Sequence, residues 1–242
     1  MFTRMFYASC IAGLACGILL TAIQAASVVP IIVEAERYEA PQTTPADATQ
    51  AQAQIHAHED GHSHVHGDGW APADGFERTF WTTLSNVGTA IGFSLLLVGI
   101  LAWRNTVSLP QGLLWSGVGF AVFFAAPALG LTPEIPGAFA ADIADRQLWW
   151  IGTAVATGIG LGLIITVPNV SAKVAGAVLL AVPHLIGAPH PQVIGGIAPQ
   201  ELADRFVLAS TITNAIFWLT LGLASTGAYR FLNRNEADTA VS

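Results

Sequence analysis

Charged residues are scarce in this chain of 242 residues, making up 10% of it against 53% hydrophobic residues. A water-soluble domain usually carries about 25% charged residues, and the mean hydropathy of +0.57 also indicates lipid as the solvent. Basic residues are the rarest charged type, nine against sixteen acidic ones, and they form no cluster. Because nucleic-acid surfaces demand clustered basic residues, we expect no nucleic-acid partner.

Cysteines and enzyme motifs are also scarce. The two cysteines, Cys10 and Cys16, are six residues apart on one apolar segment. This spacing is nearly two helical turns and forms no disulfide framework. The sequence contains no P-loop, no GxSxG and no HExxH motif. We therefore expect a protein that is not an enzyme and that cannot drive transport by hydrolysing a nucleotide itself.

Long apolar runs are what the sequence has in abundance. A bilayer core of roughly 30 Å needs about 20 helical residues. Six runs predict an all-α, polytopic membrane helix bundle of about six transmembrane helices; they cover residues 5–33, 82–103, 112–131, 148–167, 172–186 and 206–229. The fifth is the shortest. The predicted organisation is a first transmembrane helix (1–33), an extracytoplasmic loop (34–80), a five-helix membrane bundle (81–232) and a cytoplasmic tail (233–242).

The first run has a second interpretation, a cleaved signal peptide, because Arg4 precedes it and Ala25 and Ala26 supply small residues. A signal peptide has an apolar region of about 7–15 residues. The run here is about twice as long, since it continues through Val33, so an uncleaved helix is the expectation.

The basic residues give a weak prediction of orientation by the positive-inside rule. With a cytoplasmic N-terminus, five basic residues lie inside and four outside, while fourteen of the sixteen acidic residues lie outside. We expect both termini in the cytoplasm.

A coarse repeat runs along the chain. An acidic residue followed by an arginine precedes the second, fourth and sixth runs: Glu77-Arg78, Asp145-Arg146 and Asp204-Arg205. A proline lies near the outer end of the first, third and fifth runs: Pro30, Pro127 and Pro183. Three helical hairpins opening outward are one interpretation. The other is that similar topology selects similar residues, since acidic residues suit helix N-termini.

Histidines concentrate in the long loop. Five of the seven lie within eleven residues and carry the prediction of a metal site: His56, His58, His62, His64 and His66. Imidazole ligates zinc, nickel and cobalt well, and alternate spacing lets an extended backbone present several rings to one ion. Binding requires neutral imidazole, so it should weaken below about pH 6.5. The alternative is a solvated loop that only happens to be rich in histidine.

Four further residues are candidates for an ion path. His184 and His190 lie at or near membrane depth, where ionisable residues are costly and serve as functional hypotheses. Glu34 and Glu36 follow the first run and could funnel a cation; the alternatives are solvation or pairing with Arg37. A separate glycine pattern at Gly158, Gly160 and Gly162 predicts close helix packing, within one chain or between chains of an oligomer.

Five stretches in this order resemble the CbtA family of proposed cobalt transporter subunits: VVPIIVEAERYE, HAHEDGHSHVHGDGWAPADGFERT, PALGLTPEIPGAFAADIADRQLWW, PHLIGAPHP and RFVLASTITNAIFWLTLG. The resemblance spans about residues 1–232. It implies an inner-membrane component of bacterial cobalt uptake for cobalamin synthesis, with a small one-helix partner, CbtB, that bears a histidine motif itself. The family's histidine loop corresponds to the five loop histidines here.

The sequence thus favours a subunit that takes up a divalent metal ion, with Co²⁺ as the substrate and Ni²⁺ or Zn²⁺ left open. A membrane-anchored metal sensor or chaperone without transport activity is the alternative, and a structural scaffold is a third.

Overall fold

A computed structural model describes residues 2–39, 72–73, 75–105 and 107–239, with side chains up to residue 234. Apart from one isolated antiparallel bridge, the regular structure in these residues is helical. The helices are α1 (Phe2–Ser27), α2 (Val29–Glu39), α3 (Phe76–Trp103), α4 (Leu109–Ala128), α5 (Ile143–Thr166), α6 (Val170–Ile186) and α7 (Gln200–Thr239). The predicted all-α membrane bundle is confirmed.

Five of these helices are long and apolar enough to cross a membrane: α1, α3, α4, α5 and α7. The fifth predicted run corresponds to α6, whose 17 residues give a length of about 26 Å. We call the end of the bundle at which residues 40–71 are attached the loop end. α5 leaves the loop end and α7 starts there, so α6 returns the chain across the bundle.

Both ends of the described chain lie opposite the loop end. Nη1 of Arg4, in the first turn of α1, donates a hydrogen bond of 3.3 Å to Oδ1 of Asn233 in α7. Near the loop end, the hydroxyls of Ser27 and Thr213 lie 3.4 Å apart. α1 and α7 are therefore antiparallel, as an even number of crossings requires.

Prolines modify two of the spans near the loop end. The first apolar run is not one helix, because it breaks at Val28 between α1 and α2. Pro30 has no N–H to donate to the carbonyl of Ala26, and its ring crowds that carbonyl. In α4, residues 121–125 form a π-helical turn before Pro127, a wider turn that accommodates the missing donor. Pro183 lies inside α6 without breaking it.

Several predicted helix ends were wrong, because apolarity marks the part of a helix in lipid rather than its hydrogen-bonded length. α3 starts at Phe76, six residues before the predicted 82, and α7 starts at Gln200. The stretch 34–39 belongs to α2 rather than to a loop, and α7 continues into the predicted tail. α4 ends at Ala128, before the predicted residue 131.

The centre of the bundle consists of α1, α3 and α7, with α4 packed on α7. α5 packs against the π-helical turn of α4, and α6 packs on α5. Close approach depends on glycine: Gly13 and Gly17 of α1 meet the backbone of α3, and Gly160 of α5 meets Gly176 of α6. Such small-residue contacts bring helices together in lipid. Of the three glycines predicted to pack closely, Gly160 does so tightly, whereas Gly162 faces open space.

Candidate ion vestibule at the loop end

Two connections, residues 129–142 and 187–199, form the roof of the loop end. The backbone N–H of Phe139 donates to the carbonyl of Gly195 at 2.9 Å, and that of Ile197 donates to Gly137 at 3.0 Å. At Gly196, a Cβ would lie 2.8 Å from the carbonyl oxygen of Gly137, so this position accepts only glycine. The two connections are thereby held together.

Beneath this roof lies a cavity of about 770 Å³, which we call the vestibule. Its polar lining includes Glu134, His190, Gln200, Asp204 and Thr211. Asp204 and Thr211 are seven residues apart on α7, about 10 Å along the helix axis. The vestibule therefore extends from the roof along the upper part of α7.

The carboxylates of the vestibule differ in their partners. Oε2 of Glu134 accepts a hydrogen bond of 2.7 Å from Nη2 of Arg146. Asp204 accepts a neutral hydrogen bond of 2.9 Å from the amide of Gln200. It has no cationic partner in the part of the chain that the structure describes. The vestibule thus contains one carboxylate whose charge is uncompensated, which favours a cation.

A tight metal site is not preformed there. Within residues 2–39, 72–73, 75–105 and 107–239, no three His, Cys, Asp or Glu side chains cluster closely enough to hold a metal ion. Oxygen and imidazole donors spread around a wide cavity suit a cation that keeps its water, as small divalent ions do when dehydration is costly.

The four predicted path residues lie at the loop end in different settings. His190 lines the vestibule. His184 is exposed in the last turn of α6, with its ring 6.0 Å from that of Trp149 in an edge-to-face arrangement. The indole N–H of Trp149 donates to the carbonyl of Pro183 at 3.3 Å. His184 is not among the residues that line the vestibule.

Glu34 and Glu36 on α2 face arginines from other helices rather than Arg37. Glu36 forms a 2.8 Å ion pair with Arg78 of α3, and Glu34 lies 4.0 Å from Arg205 of α7. Each of these arginines, which follows an acidic residue in the repeat, therefore lies near a glutamate of a different helix rather than its neighbour in sequence. In the third case, Arg146 reaches Glu134.

The five loop histidines fall outside the described residues. Their point of attachment is described, because α2 ends at Glu39. The apolar face of α2 packs Ile31 and Ala35 against Ile135 of the roof and Leu202 of α7. The loop is thus attached beside the wall of the vestibule.

Sequence reasoning missed an amide cluster between α1 and α3. Nδ2 of Asn86 donates to Oγ1 of Thr21 at 3.0 Å and to Oε1 of Gln24 at 2.7 Å. The signal was present, since Gln24 and Asn86 are polar amides within apolar runs, and such residues join helices in lipid. Asp204 was considered only as an acidic residue before an apolar run, and Glu134 was not singled out.

The profile of one protein family, described as "probable cobalt transporter subunit (CbtA)", matches residues 2–230. The chain belongs to the CbtA family. It is accordingly a multi-pass membrane protein of a family of metal transporter subunits. Comparisons with curated proteins and with solved structures gave no match.

Proposed function

We propose that this CbtA-family chain is the membrane-embedded subunit of a bacterial uptake system for a divalent metal ion, with Co²⁺ as the substrate. The observation that carries the proposal is the family match over residues 2–230. The chain lies in the inner membrane with both termini in the cytoplasm, and the five loop histidines capture the ion outside. The weak excess of basic residues on the cytoplasmic side supports this orientation.

The captured ion passes from the loop into the vestibule. Three features support this route: the attachment of the loop beside the vestibule wall, the uncompensated carboxylate of Asp204 and the imidazole of His190. A negative, water-accessible cavity raises the local concentration of cations. His184 serves as a further ligand near the end of α6. Glu34 and Glu36 contribute only when their arginine partners release them.

Cobalt uptake by cells tests the function directly. A strain lacking the chain is supplied with the wild type, with a variant in which all five loop histidines are alanine, or with an empty vector. We expect radioactive Co²⁺ accumulation to require the chain and to fall in the alanine variant at low external cobalt. Accumulation that is unchanged without the chain refutes the transport function. Accumulation that needs the chain but not the histidines refutes capture by the loop.

The vestibule has a matched pair of variants. Asp204→Asn removes the uncompensated charge. Glu201→Gln removes a charge from the preceding turn of α7; Glu201 is exposed and does not line the vestibule. We expect Asp204→Asn to lower Co²⁺ uptake and Glu201→Gln to leave it near the wild type. Equal uptake by the two variants contradicts passage through the vestibule.

A small one-helix partner of the CbtB type completes the system in this proposal. α6 packs extensively on α5 alone among the described helices. Its opposite face exposes Val174 and Val178, and α7 exposes Leu208 and Ile212. One partner helix between α6 and α7 would cover these surfaces. Cysteine cross-linking from Val178→Cys should trap the partner, with Leu14→Cys on the exposed face of α1 as the control position.

An alternative, a membrane-anchored metal sensor or chaperone, has one observation in its favour. No cluster of three metal-binding side chains lies within the described helices and connections. This alternative predicts Co²⁺ binding by the full chain in proteoliposomes without entry of Co²⁺ into the lumen. Measuring bound and enclosed Co²⁺ separately, with the partner present and absent, distinguishes it from transport.

A further inference from the structure

A second cavity at the loop end lies between the π-helical turn of α4 and the first turns of α5. Its volume is about 670 Å³, within the range of roughly 300–1,000 Å³ common for small-molecule sites. We call it the side cleft. Its wall is mainly apolar and aromatic: Phe123, Phe124, Pro127, Trp150 and Ile151. Ile143 and Ile151 are 68% and 55% exposed, so on a membrane protein the side cleft opens to lipid.

The rim of the side cleft is polar and is centred on Arg146. Nη2 of Arg146 contacts Glu134 at 2.7 Å. Its Nε is buried and has no acceptor among the described residues. A guanidinium has five donors arranged to match a phosphate or a carboxylate. Glu134 accordingly leaves much of the donor capacity of Arg146 unused.

The charges around Arg146 restrict which headgroup fits. Glu134 lines the side cleft and places a carboxylate beside Arg146, while Asp142 and Asp145 are exposed at the start of α5, outside the lining of the cleft. A headgroup with net negative charge would be repelled by this set. A zwitterionic headgroup satisfies both signs, because its phosphate can accept from Arg146 while its ammonium group lies beside a carboxylate.

We propose that the side cleft binds one phospholipid with a zwitterionic, primary-amine headgroup. The phosphate accepts from Arg146, the ammonium group contacts Glu134, and an acyl chain lies along Phe124 and Trp150. The depth is appropriate, since tryptophan is enriched at the level of lipid headgroups and α5 starts at Ile143, seven residues before Trp150. The side cleft adjoins the metal route, because Glu134 lines both the cleft and the vestibule.

Native mass spectrometry of the full chain tests the proposal without any metal. The detergent-purified protein is titrated with phosphatidylethanolamine or with phosphatidylglycerol carrying the same acyl chains. We expect one phosphatidylethanolamine to be retained more tightly than phosphatidylglycerol. Arg146→Gln should weaken its retention by about tenfold, since it removes charge-assisted hydrogen bonds. Equal retention of the two lipids by the wild type overturns the proposal.

Two more variants complete the design. Arg205→Gln is the control, because Arg205 is exposed, lies 4.0 Å from Glu34 and does not line the side cleft; it should retain the lipid as the wild type does. Ala128→Phe places a ring in the cleft and leaves the ion pair intact, so it should also displace the lipid. If Arg146→Gln does not fold, Ala128→Phe still tests whether the lipid occupies the side cleft. Retention of phosphatidylethanolamine by Ala128→Phe at the wild-type level overturns the proposal.

Discussion

Gly160 on α5 allows the packing between α5 and α6 to be tested quantitatively. A Cβ added there would lie 2.7 Å from the carbonyl oxygen of Gly176 and 3.2 Å from Cγ of Leu180. The nearer atom belongs to the backbone, so no side-chain rotation relieves the contact. Ordinary van der Waals contact begins at 3.4 Å. Gly160→Ala must therefore move α6 away from α5 by about 0.7 Å.

Such a separation is energetically significant. A gap of roughly 0.5–1 Å forfeits about a quarter to a half of each pairwise dispersion energy. α6 has no other extensive helix contact in the described part of the chain, so nothing compensates. Overpacking usually costs about 1–3 kcal/mol. We expect the packing cost of Gly160→Ala, measured against a glycine-to-alanine change that meets no neighbour, to be about 2 kcal/mol, roughly thirtyfold in the equilibrium constant.

Unfolding by SDS in mixed micelles measures this change, with helix content followed by circular dichroism. Gly162→Ala is a matched control, because it makes the same chemical change on the same helix and its added Cβ meets no atom within 4 Å. Alanine favours helix over glycine by up to about 1 kcal/mol, so Gly162→Ala should equal or exceed the wild type in stability. Equal destabilisation of the two variants would refute the contact between Gly160 and Gly176.

Three further predictions concern the loop, the amide cluster and His184. A peptide of residues 55–68 should bind Co²⁺ fully above about pH 6.5 and lose affinity below it, since protonation occupies the imidazole lone pair. Calorimetry across pH 5–8 tests this. An affinity that does not depend on pH contradicts ligation by histidine. Asn86→Ala should cost roughly 0.6–1.7 kcal/mol per lost interhelical hydrogen bond by SDS unfolding. Asn214→Ala, which among the described residues loses a bond to Ser210 of its own helix, should cost less, and the reverse order would contradict the role of the amide cluster. His184→Phe should keep the ring contact with Trp149 and the wild-type stability but lower Co²⁺ uptake, whereas unchanged uptake removes His184 from the path.

The helical spans were predictable because bilayer thickness imposes a length of apolar sequence that few other structures need. The break at Val28 was not predicted. Pro30 had been noted only as a marker of a helix end, and the sequence does not reveal whether a proline is absorbed, as in α6, or interrupts the helix. In α4 a π-helical turn accommodates Pro127. The outcome depends on neighbouring helices, which re-satisfy the freed carbonyls.

The vestibule was less predictable than the spans. His190 was identified from its position near an apolar run, whereas Asp204 and Glu134 were not identified as candidate site residues. The significance of Glu134 depends on a partner twelve residues away, and that of Asp204 on having no ion-pair partner among the described residues. Arg146 and Glu134 are twelve residues apart, and Arg78 and Glu36 are forty-two apart. A sequence shows which charges are neighbours along the chain, but the fold determines which of them neutralise each other.

This difference in neutralisation separates Asp204 from the three glutamates at the loop end that have arginine partners. Glu36 and Glu134 each contact an arginine at less than 3 Å, and Glu34 lies 4.0 Å from a third. A cation that approaches these three carboxylates must either share them with a guanidinium or displace it. Among the described residues, the partner of Asp204 is the neutral amide of Gln200, so Asp204 attracts a cation without displacing a guanidinium. For the proposed route, the removal of charge at Asp204 should therefore reduce uptake more than the same change at any of the three paired glutamates.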